Sequence, residues 1–150
     1  ANAPAQTAVS DMYAALRARY SASDWLTLIK PINDTYGHQS GDEALKILTK
    51  LLKESFRVTD LIARYGGEEF TVVLRDIGLE AASKIAERVR EAIANTDFVI
   101  PGNPTPIRKT TSIGLAEYIY NETVDQLIER VDKALYEAKE TGRNKVVIAK

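Results

Sequence analysis

The sequence predicts an α+β fold of the ferredoxin-like type, with a mixed or antiparallel sheet and helices mostly on one of its faces. Two observations predict this fold. The predicted elements follow in the order strand, helix, hairpin, helix, strands, helix, strand, and a hairpin interleaved with helices is typical of α+β domains. The length of 150 residues suits one well-packed domain. We therefore assign residues 10–150 to a single domain and the small, polar residues 1–9 to a linker or disordered tail.

The composition is that of an ordinary globular protein, with 45% hydrophobic and 27% charged residues. A formal net charge of −1 gives no electrostatic reason to expect binding to nucleic acid or to an anionic membrane. The chain has no cysteine, which suits the reducing cytoplasm, and no apolar run long enough to span a membrane. We expect a cytoplasmic domain of a longer protein, in which any membrane or sensor region would lie outside this chain.

The first part of the chain is predicted to hold two helices on either side of a buried strand. Residues 10–20 favour a helix, and residues 25–29 (WLTLI) favour a buried strand. Residues 32–40 (INDTYGHQS) are rich in turn formers, which predicts a loop or one short helical turn. Ser40 and Glu43 have capping-box spacing for a second helix. The apolar face of that helix comprises Ala44, Ile47, Leu48, Leu51, Leu52 and Phe56.

The middle of the chain is predicted to form a hairpin followed by a third helix. Residues 61–65 and residues 70–74 (FTVVL) are the hairpin strands. Residues 98–100 predict a short strand, the proline-rich residues 101–106 a turn, and residues 145–149 the closing strand. The apolar face of the third helix comprises Ala82, Ile85, Ala86, Val89 and Ile93.

The last part is predicted to hold a strand and a fourth helix. Residues 107–120 favour one long strand, or a strand with a break at Gly114. Thr123 and Gln126 have capping-box spacing for the helix, and Gly142 ends it. The apolar face of this helix comprises Val124, Leu127, Ile128, Val131, Leu135 and Ala138.

The hairpin strands are connected through Gly66, Gly67, Glu68 and Glu69. Two glycines favour a tight hairpin turn because they adopt positive φ without steric cost. Side chains alternate across a strand, so the two glutamates should point to opposite faces. For an arbitrary GGEE sequence a solvated, charged hairpin tip is the better interpretation, and a functional site is the alternative.

Three separated motifs stand in register along the chain: residues 32–42 (INDTYGHQSGD), 66–70 (GGEEF) and 138–144 (AKETGRN). Together they resemble the GGDEF family, the diguanylate cyclases, in a GGEEF variant. The resemblance implies a nucleotidyl-cyclase palm-type fold, with a central mixed antiparallel sheet flanked by helices. It also implies that two copies of the domain, each carrying one GTP, condense the two GTP molecules into cyclic di-GMP and pyrophosphate.

The resemblance implies that the hairpin takes part in holding a metal ion. Glu68 matches the metal-ligating position of the family, and the backbone carbonyl of Leu26 is implied as a further ligand. Mg²⁺ or Mn²⁺ requires such hard oxygen ligands. Gly66 and Gly67 would let the backbone approach the phosphates, because neither carries a Cβ atom. Glu69 is a second candidate for the metal or base environment.

The resemblance assigns base and phosphate contacts to other parts of the chain. Asn33 and Asp42 match positions that hydrogen-bond guanine, where a carboxylate selects guanine over adenine. Lys139 and Arg143 match positions that bind the terminal phosphates, and Lys30 is implied as a further substrate contact. Taken alone, Asn33 fits an Asx-turn and Asp42 fits a charge at a helix N-terminus. Taken alone, Lys139 and Arg143 would equally complement the dipole at the C-terminus of a helix.

An RxxD pattern, from Arg57 to Asp60, ends six residues before Gly66. This offset is that of the product-inhibition site of the family, so the resemblance implies that Arg57 and Asp60 bind cyclic di-GMP. Arg88 on the next helix is implied as a further contact, since guanidinium groups bind phosphate and guanine edges at two points. His38, in the predicted turn, is expected to be structural.

The first predicted strand departs from the family pattern. The family carries an Asp-x-Asp whose two positions fall on Trp25 and Thr27, and Asp24 lies one residue away on the opposite strand face. Losing one metal carboxylate is expected to lower the rate by roughly a hundred- to a thousandfold. We therefore expect a diguanylate cyclase domain that binds GTP, acts as a homodimer and catalyses weakly or not at all. The alternatives are a module that senses GTP or cyclic di-GMP and, ranked last, a pure dimerisation domain.

Overall fold

The structure, a computed structural model, describes residues 38–65 and 69–150. The predicted tail, the predicted helix of residues 10–20 and the predicted strand of residues 25–29 lie outside these described residues. The described elements are helix α1 (His38–Ser55), strands β1 (Leu61–Tyr65) and β2 (Glu69–Val73), helix α2 (Leu79–Ala94), strand β3 (Ile113–Leu115), helix α3 (Val124–Glu140) and strand β4 (Val146–Ile148).

The described strands pair in both directions. β1 and β2 are antiparallel, with Leu61 opposite Val73. β3 and β4 are parallel, with Ile113 opposite Val146. Parallel neighbours need a crossover connection, which α3 supplies. Within the described part of the chain these pairs form two two-stranded sheets, and together they show the mixed pairing that the sequence predicts.

The main hydrophobic core lies between α1, α2 and the segment after α2. Apolar residues recur on one face of each helix at helical spacing, and these faces are the buried ones, as predicted. The side chains of Phe98 and Ile100 complete this core, while Val99 between them is exposed. The buried members of the cluster are Ala44, Leu48, Leu52, Val89, Ile93, Phe98 and Ile100.

Helix α1 begins earlier than predicted. It starts at His38, so the predictions that residues 38–40 belong to a loop or turn and that Ser40 caps the helix are wrong. Ser40 is only 4% exposed and lies one helical turn before the buried Ala44, which itself precedes Leu48 by one turn. A small serine can therefore continue the buried stripe of the helix.

The region of residues 107–120 forms less strand than predicted. Among the described residues, Ile107 makes one antiparallel bridge with Phe98, and a regular strand spans only β3. Gly114 does not break β3 but lies at its centre, opposite Val147. A Cβ at Gly114 would come within 2.6 Å of the Val131 carbonyl oxygen, so glycine is needed here for the close approach of α3.

The N-terminus of α3 is capped as predicted. The Thr123 hydroxyl accepts from the Gln126 backbone N–H at 3.1 Å, and the Gln126 side chain accepts from the Thr123 N–H at 2.9 Å. This reciprocal capping box satisfies two otherwise unpaired backbone donors. None of the helices within residues 38–65 and 69–150 has the length and apolarity to cross a bilayer.

Candidate functional site

The loop between α1 and β1 carries the RxxD pattern. Asp60 donates its backbone N–H to the Arg57 carbonyl at 3.0 Å, which closes a tight turn. The Asp60 carboxylate then accepts from the Arg57 backbone N–H at 2.9 Å and from the Arg57 side chain through Nη2 at 2.8 Å and Nε at 3.2 Å. The three-residue spacing therefore lets one carboxylate bind both the backbone and the side chain of the same arginine.

Burial makes this ion pair asymmetric. The Asp60 side chain is 0% exposed, whereas the Arg57 side chain is 45% exposed. The hydrogen bonds from the Arg57 side chain, with smaller help from backbone N–H groups, lower the pKa of Asp60 although burial opposes this. The same hydrogen bond raises the pKa of Arg57. Asp60 is thus held ionised as an anchor, and Arg57 presents the accessible side of the pair.

Helix α2 brings Arg88 to the same end of α1. Arg88 Nη2 donates to the Ser55 carbonyl oxygen at 3.1 Å, and Ser55 is the last residue of α1, two residues before Arg57. Arg57 Nη2 also donates to the carbonyl oxygen of Arg75 at 2.7 Å. The structure therefore brings Arg57, Asp60 and Arg88 to one region. The backbone acceptors at Ser55 and Arg75 were missed, because a carbonyl group leaves no signal in the sequence.

The turn after α3 carries the last motif. Lys139 lies in the last turn of the helix, and Thr141 is its C-cap. Gly142 has a φ of 115°, which confirms that it ends the helix in the left-handed region. The Arg143 N–H donates to the Ala138 carbonyl at 2.9 Å, as in a Schellman motif. Arg143 therefore lies on an exposed turn beyond the helix and not one turn after Lys139 on its surface.

Asp42 lies on α1, four residues after the first residue of the helix, and is exposed. The first turn of α1 contains no acidic residue, so the alternative role of Asp42 as a first-turn charge is not supported. The hydrogen bond that Lys46 donates to Glu43, followed by the negative charge of Glu43 and the smaller effect of the Asp42 charge, raises the pKa of Lys46. An exposed carboxylate on a helix remains available to a ligand.

The hairpin that should carry the metal ligand is described for its two strands, β1 and β2, and not for residues 66–68 between them. The paired strands close at Tyr65 and Glu69, and the backbone alone is described for Glu69. The other residues assigned to the metal, phosphate and base contacts lie outside the described residues: Leu26, Lys30, Asn33, Gly66, Gly67 and Glu68. Elsewhere in the described part, no group of three or more His, Cys, Asp or Glu side chains could hold a metal ion.

A family comparison decides the assignment of the chain. The family model described as diguanylate cyclase, GGDEF domain, matches residues 26–145. The chain belongs to the GGDEF domain family. The matched range includes all three motifs, from residue 32 to residue 144. Membership connects this GGDEF domain to cyclic di-GMP synthesis at the level of the family.

Individual relatives agree with this assignment. The GGDEF domain is 42% identical to Diguanylate cyclase A of Treponema denticola over 126 residues, which are 83% of this chain and 33% of that relative. It is similar to the GGDEF domain of DgcB from Caulobacter crescentus in complex with c-di-GMP, with a TM-score of 0.73 and 30% identity over 80% of this chain and 71% of that one. The active GGEEF domain of a diguanylate cyclase from Vibrio cholerae aligns with a TM-score of 0.68 and 33% identity, covering 81% and 76% of the two chains.

The solved neighbours confirm the predicted α+β palm-type fold. The chain spans only about a third of the length of the curated relative from Treponema denticola. The shared part is the GGDEF domain, so what the remainder of such a relative senses or binds does not transfer to this chain.

Proposed function

We propose that this GGDEF domain binds GTP and, as a pair of copies, condenses two GTP molecules into cyclic di-GMP and two pyrophosphates. The observation that carries this proposal is the family match over residues 26–145, which includes the three motifs to which we assign nucleotide binding. The solved GGEEF domain from Vibrio cholerae, called active in its description, supports the sequence GGEEF as compatible with catalysis.

The reaction is a nucleotidyl transfer that occurs twice. The ribose 3′-hydroxyl of one GTP attacks the α-phosphate of the other, a phosphorus–oxygen bond forms, and the bond to pyrophosphate breaks. Glu69 is the candidate acceptor of the hydroxyl proton. The 3′-hydroxyl of the second GTP then attacks the α-phosphate of the first, which closes the ring and releases the second pyrophosphate. Because each copy of the domain holds one GTP, one active centre needs two copies.

The residues of the chain would divide the work of binding. Asn33 and the exposed Asp42 would bind guanine, and an adenine would leave those polar groups unpaired. Lys139 and Arg143, in the last turn of α3 and the turn that follows it, would bind the terminal phosphates.

Oxygen donors from Glu68 and the Leu26 carbonyl are chemically suited to Mg²⁺ or Mn²⁺. Such an ion, when bound, would stabilise the charge that develops on the attacking and leaving oxygens. Trp25 stands where the family pattern has a carboxylate. We therefore expect the rate to be lower by roughly a hundred- to a thousandfold than in a domain with both carboxylates.

The test is to incubate the purified domain with GTP and Mg²⁺ and to separate the nucleotides by chromatography. Cyclic di-GMP should form at a rate that rises with the square of the protein concentration, because two copies must meet. Glu68→Gln should remove the product while GTP binding, measured by calorimetry, persists. A folded wild-type domain that binds GTP no better than ATP and forms no product would contradict the proposal.

A second candidate function is the sensing of cyclic di-GMP, and one observation favours it. Arg88 contacts the end of α1 two residues before Arg57, and both guanidinium groups belong to partly or fully exposed residues. Two arginines and one buried carboxylate in one region suit a guanine- and phosphate-bearing ligand. Calorimetry with cyclic di-GMP should show binding that Arg88→Ala weakens and that Lys84→Ala, on the same helix, leaves unchanged. Absence of binding to the wild type would eliminate this function.

A further inference from the structure

Three consecutive residues after α3 adopt a left-handed backbone. The φ angles of Gly142, Arg143 and Asn144 are 115°, 62° and 48°. Glycine adopts such angles freely and asparagine tolerates them, but arginine does not favour them. A run of this kind persists when the surrounding contacts hold it in place. Contacts with other parts of the chain must therefore fix the turn that carries Arg143.

Backbone contacts fix both ends of this turn. At its start, the Arg143 N–H donates to the Ala138 carbonyl of α3. At its end, the Lys145 carbonyl accepts from the Ile113 N–H of β3 at 2.9 Å. The Lys145 ammonium group also donates to the Thr141 carbonyl. These contacts leave the side chain of Asn144, at the apex, to be held from elsewhere.

Arg90 of α2 holds that apex. Its Nη1 donates to the Asn144 Oδ1 at 2.9 Å, across 54 positions of sequence. Its Nε and Nη2 donate to Glu87 Oε2 at 3.0 and 2.8 Å, and Nη2 lies 3.7 Å from Glu91 Oε1. Because three of its five N–H donors bind the Asn144 amide and the Glu87 carboxylate, and its side chain is only 17% exposed, Arg90 is suited to holding a structure and not to binding a phosphate itself.

We infer that Arg90 is a positioning residue, which by holding Asn144 fixes the turn that presents Arg143 to the terminal phosphates of GTP. This inference rests on the proposed function of Arg143. It assigns to Arg90 an effect on the polyphosphate part of the substrate and none on guanine. Arg90 would therefore determine how well the domain distinguishes GTP from GMP.

The experiment measures GTP and GMP binding by calorimetry for the whole domain and five variants. Arg90→Gln and Asn144→Gly should each weaken GTP binding roughly tenfold, with GMP binding unchanged, because each removes the same hydrogen bond. The double variant should be no weaker than either single one. Asn144→Asp keeps an acceptor for Arg90 and should retain the GTP affinity. Glu80→Gln, on the same helix but paired with Lys84 and not with Arg90, is the control and should also retain it.

Amide hydrogen exchange without nucleotide gives an independent readout. Arg90→Gln should speed exchange at the hydrogen-bonded amides of Arg143 and Ile113, whereas Glu80→Gln should not. A loss of GTP and GMP affinity by equal factors, or unchanged GTP affinity in Arg90→Gln, would overturn the role of Arg90 alone. A folded wild type that binds no GTP would overturn both this role and the proposed function.

Discussion

The carboxylate of Asp60 is completely shielded from solvent and is held by the guanidinium of Arg57 at 2.8 and 3.2 Å. A buried charge of this kind is stable only while its hydrogen bonds are made. The pair therefore has a structural part, since it fixes the loop between α1 and β1. It also orients the accessible arginine that the sensing hypothesis requires.

The first prediction concerns the charge of Asp60. We expect Asp60→Asn to lower the free energy of unfolding by about 1–3 kcal/mol at neutral pH, because charge-assisted hydrogen bonds are replaced by neutral ones. Urea denaturation measures the change. Glu80→Gln is the control, since the Glu80–Lys84 pair is 89% and 79% exposed and should contribute about 1 kcal/mol or less. Equal effects of the two substitutions would contradict the importance of burial.

The second prediction concerns acid stability. Hydrogen bonds from the Arg57 side chain lower the pKa of Asp60 from its ordinary 3.8. The backbone N–H of Ile119, followed by Arg130, lowers the pKa of Glu122 from 4.5. Carboxylates whose pKa falls on folding stabilise the protein above their unfolded pKa, and this contribution disappears as the pH falls through their folded pKa.

The free energy of unfolding should therefore decline below a pH of about 4.5, with Glu122 and Asp60 both contributing. The difference between wild type and Asp60→Asn should shrink as the pH falls below about 3.8, because a protonated aspartate resembles an asparagine. Chemical denaturation at a series of pH values measures both trends. A difference that stays constant down to pH 2 would show that the charge of Asp60 does not stabilise the fold.

The third prediction concerns the contact between β3 and α3. A Cβ at position 114 would lie 2.6 Å from the Val131 carbonyl oxygen and 2.7 Å from the Leu135 backbone nitrogen. Since both atoms belong to the helix backbone, Gly114→Ala should displace α3 and destabilise the fold by about 1–3 kcal/mol or more. Gly78→Ala is the control, because no atom lies within 4 Å of its Cβ position. Thermal unfolding should separate the two variants clearly.

The fourth prediction concerns the cap of α3. Thr123→Ala removes the hydroxyl that accepts from the Gln126 N–H and should lower the free energy of unfolding by about 0.5–2 kcal/mol. Thr123→Ser keeps the hydroxyl and should be close to wild type. Urea denaturation of both variants tests the cap, and equal losses in both would assign the effect to the methyl group.

The fifth prediction concerns the divergent strand. If Trp25 stands in place of a metal carboxylate, Trp25→Asp should raise cyclic di-GMP formation, by up to about a hundred- to a thousandfold. Trp25→Asn is the matched control and should bring no such gain, because asparagine has the size of aspartate but carries no charge. Product formation per hour at fixed GTP and Mg²⁺ measures the effect. Equal activity of the two variants would argue against a metal-ligand role for this position.

Periodicity predicted the three helices of the described residues, and capping chemistry predicted one helix start out of two. Thr123 caps α3 as its spacing indicates, because the box is a local arrangement. Ser40 has the same spacing with Glu43 but lies inside α1, where tertiary packing buries it beside Ala44. The same capping-box spacing therefore marks a helix start at Thr123 and fails to do so at Ser40, because Ser40 lies on a helix face that the core covers.

The sequence by itself determined the family of this protein, the apolar faces of its helices and the residue types at its proposed site. These depend on local patterns and on motif spacing, which a linear chain contains in full. Only the tertiary structure decided that Arg88 reaches the end of α1, that Arg90 holds Asn144 across 54 positions, and that Gly114 is needed for the approach of α3. Contacts between residues far apart in the chain follow from how the elements pack, and no local pattern records that packing.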